Sequence, residues 1–305
     1  TSVDLGKYPH AQQYFLSVKN ELEKRHYLLK SGRKWYEIWN PRDPEWFETA
    51  KIVTPNLSTT NNFAYDEANL SGKKTFYYLD HDCYGLIPLS KERTDHLCIL
   101  GLLNSKILEF YLKHISPYCA GRYFRYMSGY LEQLPIKLPS KEDGIYNQIV
   151  QKVENILQLF EQLSFSMRRL DSFPSSYFTD DFTFDALANK VKIQNLSHPS
   201  YSLSDKKLRT QYLRDLEGKE TFRIILHTND FTDFYSEETA SYVFEVLKTM
   251  KRITKRELLE LKIPQKPHLK NLLNQYRKDK EQIVKNEKAV KELEMQIDDL
   301  VYKLY

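Results

Sequence analysis

Two stretches of this chain carry apolar residues in a heptad-like pattern, mostly at steps of three or four, and they limit the possible folds more than any other feature. The first covers residues 143–171, with apolar side chains at Ile145, Ile149, Val153, Ile156, Phe160, Leu163, Met167 and Leu170. The second follows Pro267, with apolar side chains at Leu269, Leu272, Tyr276, Ile283, Val290, Leu293, Ile297, Leu300 and Leu304. Each pattern predicts a long helix with one packed face.

Polar residues interrupt the packed face of the second predicted helix at Asp279, Lys280 and Asn286. Residues of this kind disfavour a uniform parallel dimer, because each would be buried against a copy of itself. We therefore expect the two helices to pair within one chain, as an antiparallel, coiled-coil-like spacer.

The region before the first long helix mixes helical and strand-like patterns. An amphipathic stretch up to about residue 30 predicts a helix that ends at Ser31-Gly32. Residues 95–114 carry apolar side chains at helical spacing and predict a second helix. Aromatic and β-branched runs predict strands at residues 34–39, 51–53 and 75–79.

A second mixed region follows the first long helix, with a strand predicted at residues 222–226 and a helix at about 236–250. The whole chain is thus predicted to be α+β. We expect four segments: an α/β region at 1–140, a spacer helix at 141–172, a second small α/β region at 173–265 and a C-terminal long helix at 266–305.

The composition is that of a folded protein, since 41% of the 305 residues are hydrophobic and 28% are charged. We find no apolar run near the roughly 18 residues that a membrane span needs, and no signal-peptide pattern, so we expect a cytoplasmic protein. The cysteines Cys83, Cys98 and Cys119 are too scattered for a disulfide framework or a zinc site with paired ligands. Because the sequence starts at Thr1 and ends within a helical pattern, we expect a fragment of a longer polypeptide.

Residues 118–130 form the segment with the most informative chemistry. Arg122 and Arg125 alternate there with aromatic residues that include Tyr123 and Tyr126, and glycines flank them. Arginine can bind a guanine edge or a phosphate, and tyrosine hydroxyls add adaptable hydrogen bonds, so this pattern suits a nucleic-acid groove. The alternative is an aromatic core segment in which the two arginines extend their head groups into water.

Other basic residues are candidate phosphate contacts. The net charge is only +4, so nucleic-acid binding has to rest on local clusters. Arg33 and Lys34 begin one predicted strand and Lys51 begins another. A single surface lysine is more often only solvated, so the prediction rests on the set. A further basic run either contacts the DNA backbone or only solubilises the end of a helix: Lys248, Lys251, Arg252, Lys255 and Arg256.

Five segments, in this order, resemble the TaqI-like C-terminal specificity domain: R-K-W-Y-E-I-W, K-I-V-T-P-N-L, L-L-N-S-K-I-L-E-F-Y, G-R-Y-F-R-Y and Y-L-E-Q-L-P-I. The closing I-D-D-L-V-Y-K-L-Y also resembles the tail of such chains. The resemblance covers roughly residues 30–140 and about the last 40 residues. Within the third segment, Asn104, Ser105 and Lys106 either orient a helix turn or contact DNA.

The resemblance implies a function and partners. Domains of this family follow the catalytic domain of adenine-specific DNA methyltransferases, including fused restriction-modification enzymes. The α/β region at 1–140 would then be a target-recognition domain. Its partners would be double-stranded DNA and an N-terminal methyltransferase domain of the same polypeptide, and S-adenosylmethionine would be the cofactor of the parent enzyme only.

Catalytic motifs were sought and not found in the sequence. An adenine methyltransferase needs a glycine-containing cofactor loop and an Asn/Asp-Pro-Pro-aromatic loop. The nearest fragment, at residues 40–43, has an arginine in place of the second proline and is interpreted as a turn. His227, Asp230 and Asp233 could be drawn as a metal cluster, but such residues are common in polar loops. We therefore expect no catalytic centre, cofactor or metal in this chain.

Two other functions stay open at this point. The chain could be a helical interaction or scaffold protein in which the basic loops are incidental. It could also be a cryptic metal-dependent nuclease that uses Glu260, in Glu260-Leu261-Lys262, or the region of Asp230. Salt-dependent duplex binding distinguishes DNA recognition from scaffolding, because only phosphate contacts release counterions.

Overall fold

The computed structural model describes residues 3–38, 42–67, 76–77, 79, 82–179, 182–203, 208–214 and 218–305. The chain divides into two compact units, which are described separately. Unit 1 comprises Thr1–Tyr146 and Val301–Tyr305, and unit 2 comprises Asn147–Leu300. Within the described ranges, no helix is both long enough and apolar enough to cross a membrane.

The helices of unit 1 are short. In chain order they are α1 Pro9–Ser17, α2 Lys19–Leu22, α3 His26–Lys30, α4 Pro44–Phe47, α5 Arg93–Leu103, α6 Lys106–Ile115 and α7 Ser128–Leu131. The prediction of one continuous helix up to residue 30 is therefore wrong. The helical path breaks at Val18, whose φ is −112° and ψ is 12°, and again before α3. The predicted end holds, because Gly32 has a φ of +77° that glycine adopts readily.

Six strands of unit 1 form two small antiparallel sheets within the described residues. The strands are β1 Lys51–Pro55, β2 Leu57–Ser58, β3 Ala64–Asp66, β4 Cys83–Leu86, β5 Tyr118–Cys119 and β6 Tyr123–Arg125. One sheet has the order β3-β1-β4 and the other has the order β2-β6-β5. The predicted strand at residues 51–53 is confirmed as part of β1.

The predicted strand at residues 34–39 is wrong. Residues 34–38 form turns and irregular chain, and Trp39 lies outside the described residues, as do Asn40 and Pro41 of the predicted turn. The Glu37 carboxylate accepts a hydrogen bond from the Lys34 amide at 3.0 Å, and the rings of Trp35 and Tyr36 meet edge to face at 5.3 Å. These aromatic side chains thus pack within a turn instead of along a strand.

The strand predicted at residues 75–79 is not observed at Phe76, Tyr77 or Leu79, while Thr75 and Tyr78 lie outside the described residues. The backbone amide of Tyr77 donates to the carboxylate of Asp66 at 3.0 Å. A side chain therefore satisfies a backbone group that a strand would have paired with a neighbouring chain segment.

The single helix predicted at residues 95–114 is two helices, α5 and α6. Between them, the Asn104 side chain accepts a hydrogen bond from the Phe63 amide at 3.0 Å and donates one to the Phe63 carbonyl at 2.9 Å. The Ser105 hydroxyl donates to the Leu102 carbonyl at 2.6 Å. The interpretation that these residues orient a helix turn is confirmed for Asn104 and Ser105.

The strands described in unit 2 are β7 Phe184–Ala186, β8 Val191–Asn195, β9 Ser200–Ser202, β10 Arg209–Arg214, β11 Glu220–His227, β12 Asp230–Phe234, β13 Arg252–Thr254 and β14 Lys262–Pro264. They form an antiparallel sheet of order β10-β11-β12-β8 and the shorter pairs β13-β9 and β14-β7. Its helices are α8 Gly144–Asp171, α9 Glu237–Lys248, α10 Lys255–Glu260 and α11 His268–Tyr302, of which α8 and α11 lie mostly in this unit. The predicted strand at 222–226 and helix at about 236–250 are confirmed.

The two long helices pair antiparallel within the chain, as predicted. Residue numbers rise along α8 while those of the partners on α11 fall, which fixes the direction. The polar contacts join Lys152 to Gln296 at 2.6 Å, Gln162 to Asn286 at 3.1 Å and Arg169 to Asp279 at 3.2 Å. Polar residues that interrupt the apolar pattern of α11 therefore have partners. With these helices and the small sheets of both units, the predicted α+β class is confirmed.

Candidate nucleic-acid interface

The basic aromatic segment of unit 1 forms a β-hairpin. Strand β5 pairs antiparallel with β6, and Leu57 of β2 pairs with Arg125 on the other side of β6. We call residues 118–125 the recognition hairpin. Its turn contains two consecutive residues with positive φ, Gly121 at +81° and Arg122 at +67°. Positive φ is ordinary for glycine and strained for arginine.

Side chains alternate across β6, as they do in any strand. Tyr123 is 43% exposed and Arg125 is exposed, whereas Phe124 is half-buried and Tyr126 is fully buried. Arg122 at the turn is also exposed. The hairpin therefore presents Arg122, Tyr123 and Arg125 to solvent.

Neither arginine of the recognition hairpin is held by an acidic group among the residues that the structure describes. Arg125 contacts the Met127 sulfur at 3.9 Å, and none of the described residues accepts a hydrogen bond from the Arg122 guanidinium. As far as the described residues show, Arg122 keeps all its guanidinium donors for an external ligand, and Arg125 keeps all but the one that it gives to Met127. Arginine offers five donors in a planar fork that matches phosphate and guanine edges.

Hydrogen bonds to the backbone hold the hairpin in place. The Ser116 hydroxyl donates to the Arg125 carbonyl and accepts from the Arg125 amide, each at 2.8 Å. The Tyr126 amide donates to the Asn56 carbonyl at 2.8 Å. Because Ser116 is buried, water competes little for these bonds.

Tyr126 is part of the core, so its predicted contact with DNA is wrong. Its ring meets the ring of Phe63 at 5.9 Å, and its hydroxyl donates to Asn61 at 3.0 Å. Burial raises the pKa of the Tyr126 hydroxyl above its usual range. The alternative interpretation, an aromatic core segment, thus holds for this residue and for the half-buried Phe124.

Lys51 was predicted to contact phosphate, and its burial contradicts that role. The side chain is 1% exposed, and its ammonium lies 2.5 Å from Asp66 and 2.7 Å from the Phe47 carbonyl. Lys51 and Asp66 face each other in the pairing of β1 with β3. The ammonium is therefore committed to a buried ion pair within the sheet.

Arg33 and Lys34 lie in the turn segment between α3 and α4 and not on a strand beside the hairpin. Lys34 is exposed, with its ammonium 5.7 Å from the centre of the Tyr36 ring, and Arg33 is half-buried. A hydrogen bond with the Tyr36 side chain raises the pKa of Lys34. Both residues stay candidate phosphate contacts.

The basic run at residues 248–256 is largely engaged locally. Arg252 donates to the Ser200 hydroxyl at 2.6 Å, Lys255 donates to the Leu196 carbonyl at 3.2 Å, and Arg256 pairs with Glu260 at 2.8 Å. These contacts favour the interpretation that the run ends one helix and starts the next. The ion pair with Arg256 also engages the carboxylate of Glu260, the residue that the nuclease alternative would use.

The family of the hairpin-bearing segment follows from comparison with known proteins. Residues 8–136 match the TaqI-like C-terminal specificity domain. This match confirms the resemblance over the segment that includes the recognition hairpin, and it leaves the predicted resemblance of the C-terminal tail as a prediction. The chain is also similar to the type II methyltransferase M.BanIII of Aneurinibacillus aneurinilyticus, at 30% identity over 159 residues. That alignment covers 51% of this chain and 26% of the relative, so it spans about a quarter of the relative's length.

Proposed function

We propose that this chain is the DNA-recognition part of a restriction-modification adenine-specific DNA methyltransferase. It reads a short duplex sequence and positions a separate catalytic domain over the target adenine. The observation that carries the proposal is the exposed recognition hairpin inside the segment that matches a specificity domain, with two arginines that no acidic group among the described residues pairs.

The exposed turn and side chains of the hairpin suit this function. The major groove of B-DNA, which is about 12 Å wide, admits β-structure whose side chains reach the base edges. An arginine can bind the O6 and N7 of guanine through two hydrogen bonds, and each such pair contributes about 1–3 kcal/mol of discrimination between bases. In this proposal Arg122 and Arg125 read base edges or clamp phosphates, Tyr123 adds hydrogen bonds, and Arg33 and Lys34 bind the backbone.

The proposed partner is a methyltransferase domain that precedes this chain in the same polypeptide. In this proposal that domain binds S-adenosylmethionine and transfers the methyl group, and this chain supplies the target sequence. The support is the name of the relative, a type II methyltransferase, together with the short share of it that the alignment covers.

The proposal is tested by selection from a pool of duplex DNA with a random centre. The full chain, joined to its natural upstream sequence, is immobilised and the retained duplexes are sequenced. Enrichment of one short site, with affinity that falls as salt concentration rises, supports recognition. Retention of all sequences alike, or affinity independent of salt, would instead support the scaffold function.

A further inference from the structure

Unit 2 brings two histidines and an aspartate together at one end of its main sheet. His227 ends β11 and Asp230 begins β12, on either side of the turn between these strands, and His198 lies between β8 and β9. One potential ligand atom from each residue lies within 4.8 Å of the other two. The two imidazole rings are 5.0 Å apart.

Sequence spacing alone does not give this set of residues. The cluster considered from the sequence was His227, Asp230 and Asp233. In the structure Arg223 binds Asp233 through two hydrogen bonds of 2.8 and 3.0 Å, so that carboxylate is occupied. His198 takes its place because the pairing of β8 with β12 brings the end of β8 beside Asp230.

Hydrogen bonds fix the Asp230 carboxylate in place. Its side chain is 1% exposed, and one carboxylate oxygen accepts hydrogen bonds from the amide and the hydroxyl of Ser197, at 2.5 and 2.7 Å. The second oxygen is thereby directed toward His198.

The second carboxylate oxygen of Asp230 lies 2.5 Å from Nδ1 of His198. The His198 side chain is 53% exposed, and the Tyr201 hydroxyl accepts a hydrogen bond from the His198 amide at 3.1 Å, which fixes the backbone there. Two imidazole nitrogens and a carboxylate oxygen, with solvent on one side, form a donor set used for Zn²⁺ in sites where water completes a tetrahedron.

We propose that His198, His227 and Asp230 bind one Zn²⁺ ion, with water in the remaining position. Binding moves the His198 nitrogen and the Asp230 oxygen from contact with each other onto the metal, and any proton between them is released to solvent or moves to the other ring nitrogen. The ion links β11, β12 and the β8–β9 connection, so metal binding stabilises unit 2. This site is independent of the proposed DNA contacts in unit 1.

The experiment titrates the full chain, stripped with a chelator and dialysed, with ZnCl₂ by calorimetry and with Co²⁺ as a visible-absorption probe. We expect one equivalent to bind and the melting temperature to rise on addition of Zn²⁺. His227→Ala should weaken Zn²⁺ binding at least tenfold, and His10→Ala, at an exposed histidine outside the cluster, should leave it unchanged.

His227→Ala suits this test because none of the described residues forms a hydrogen bond with the His227 ring, so the variant should melt like the wild type in chelator. His198→Ala gives a second, independent loss of a ligand. Absence of saturable binding, or equal Zn²⁺ affinity in the wild type and both cluster variants, would overturn the proposal and leave a His198–Asp230 ion pair without a metal.

Discussion

Arg122 combines an exposed side chain, for which no described residue is a hydrogen-bond partner, with a backbone conformation that suits glycine better. Its φ of +67° is left-handed, and the neighbouring Gly121 has a φ of +81°. A left-handed residue with a side chain is disfavoured by roughly 1–2 kcal/mol relative to the ordinary conformation. The side chain and the backbone of residue 122 can therefore be tested separately.

Arg122→Gly should separate DNA affinity from stability. We expect the free energy of unfolding to stay the same or to rise by up to about 1 kcal/mol, because glycine relieves the strained φ. If Arg122 reads a base edge, affinity for the specific site should fall by about 1–3 kcal/mol and preference should relax at one base pair. Urea denaturation and duplex binding measure the two effects.

The matched control for Arg122→Gly is Arg256→Ala, which removes an exposed arginine of unit 2 that pairs with Glu260. This control should change neither base preference nor specific affinity. Equal affinities for Arg122→Gly and the wild type at every base pair of the site would exclude Arg122 as a reading residue.

Lys51 is expected to act on stability and not on DNA binding. Lys51→Met leaves the Asp66 carboxylate buried without its partner, which should reduce the free energy of unfolding by about 3–5 kcal/mol. The double variant Lys51→Met/Asp66→Asn should recover part of that loss. Under conditions in which the Lys51→Met variant is folded, it should keep the wild-type slope of log affinity against log salt concentration. A slope reduced by about one would instead support the predicted contact between Lys51 and a phosphate.

At the residue level, part of the candidate site was readable from the sequence and part was not. The period of two within Y-F-R-Y separates Tyr123 and Arg125 from Phe124 and Tyr126, so the burial of Tyr126 had a signal. The burial of Lys51 had no such signal, since it depends on Asp66 standing opposite it on another strand.

Among the elements, the recognition hairpin depends on one serine. Ser116→Ala removes both hydrogen bonds to the Arg125 backbone and leaves the amide and carbonyl of Arg125 without that partner. We expect stability to fall by about 1–3 kcal/mol and hydrogen exchange at the Arg125 amide to accelerate. Ser175→Ala, at an exposed serine that donates to the Ser172 carbonyl, is the control and should change neither. Unchanged exchange at Arg125 would contradict the anchoring role of Ser116.

The helix pair contains a buried polar residue whose role can be measured. Asn286 is nearly fully buried, and its amide bonds Gln162 and Gln282, which are both exposed. Asn286→Leu should raise stability by about 1 kcal/mol or more, because leucine buries apolar surface and both glutamines can turn to water. It should also increase self-association, seen by light scattering, because polar seam residues specify the pairing. Asn274→Ala, at an exposed asparagine of the same helix, is the control and should change neither stability nor self-association. No gain in self-association for Asn286→Leu would contradict this role.

The elements that the sequence predicted well are those with a long local pattern. Both long helices and the strands at β1 and β11 follow from periodicity. The sequence did not predict the break between α5 and α6, because that break involves hydrogen bonds between Asn104 and Phe63, which are 41 residues apart. The aromatic run at 34–38 was misassigned because strand propensity without a pairing partner does not form a strand.

For the whole molecule, we propose that the matched segment recognises a duplex sequence through the hairpin. A specificity domain needs weak, salt-dependent binding to all DNA and additional contacts at one site. In this proposal, the two arginines of the hairpin supply the additional contacts, and Arg33 and Lys34 supply the general attraction.

The most direct test measures duplex affinity of the full-length polypeptide at several salt concentrations, on the selected site and on a scrambled site. The wild type should bind the selected site roughly 10³-fold or more tightly than the scrambled site. The double variant Arg122→Gly/Arg125→Ala should lose most of that ratio while keeping a salt-dependent affinity for the scrambled site. An unchanged ratio in the double variant would contradict the account and move recognition away from the hairpin, most directly to residues 173–265.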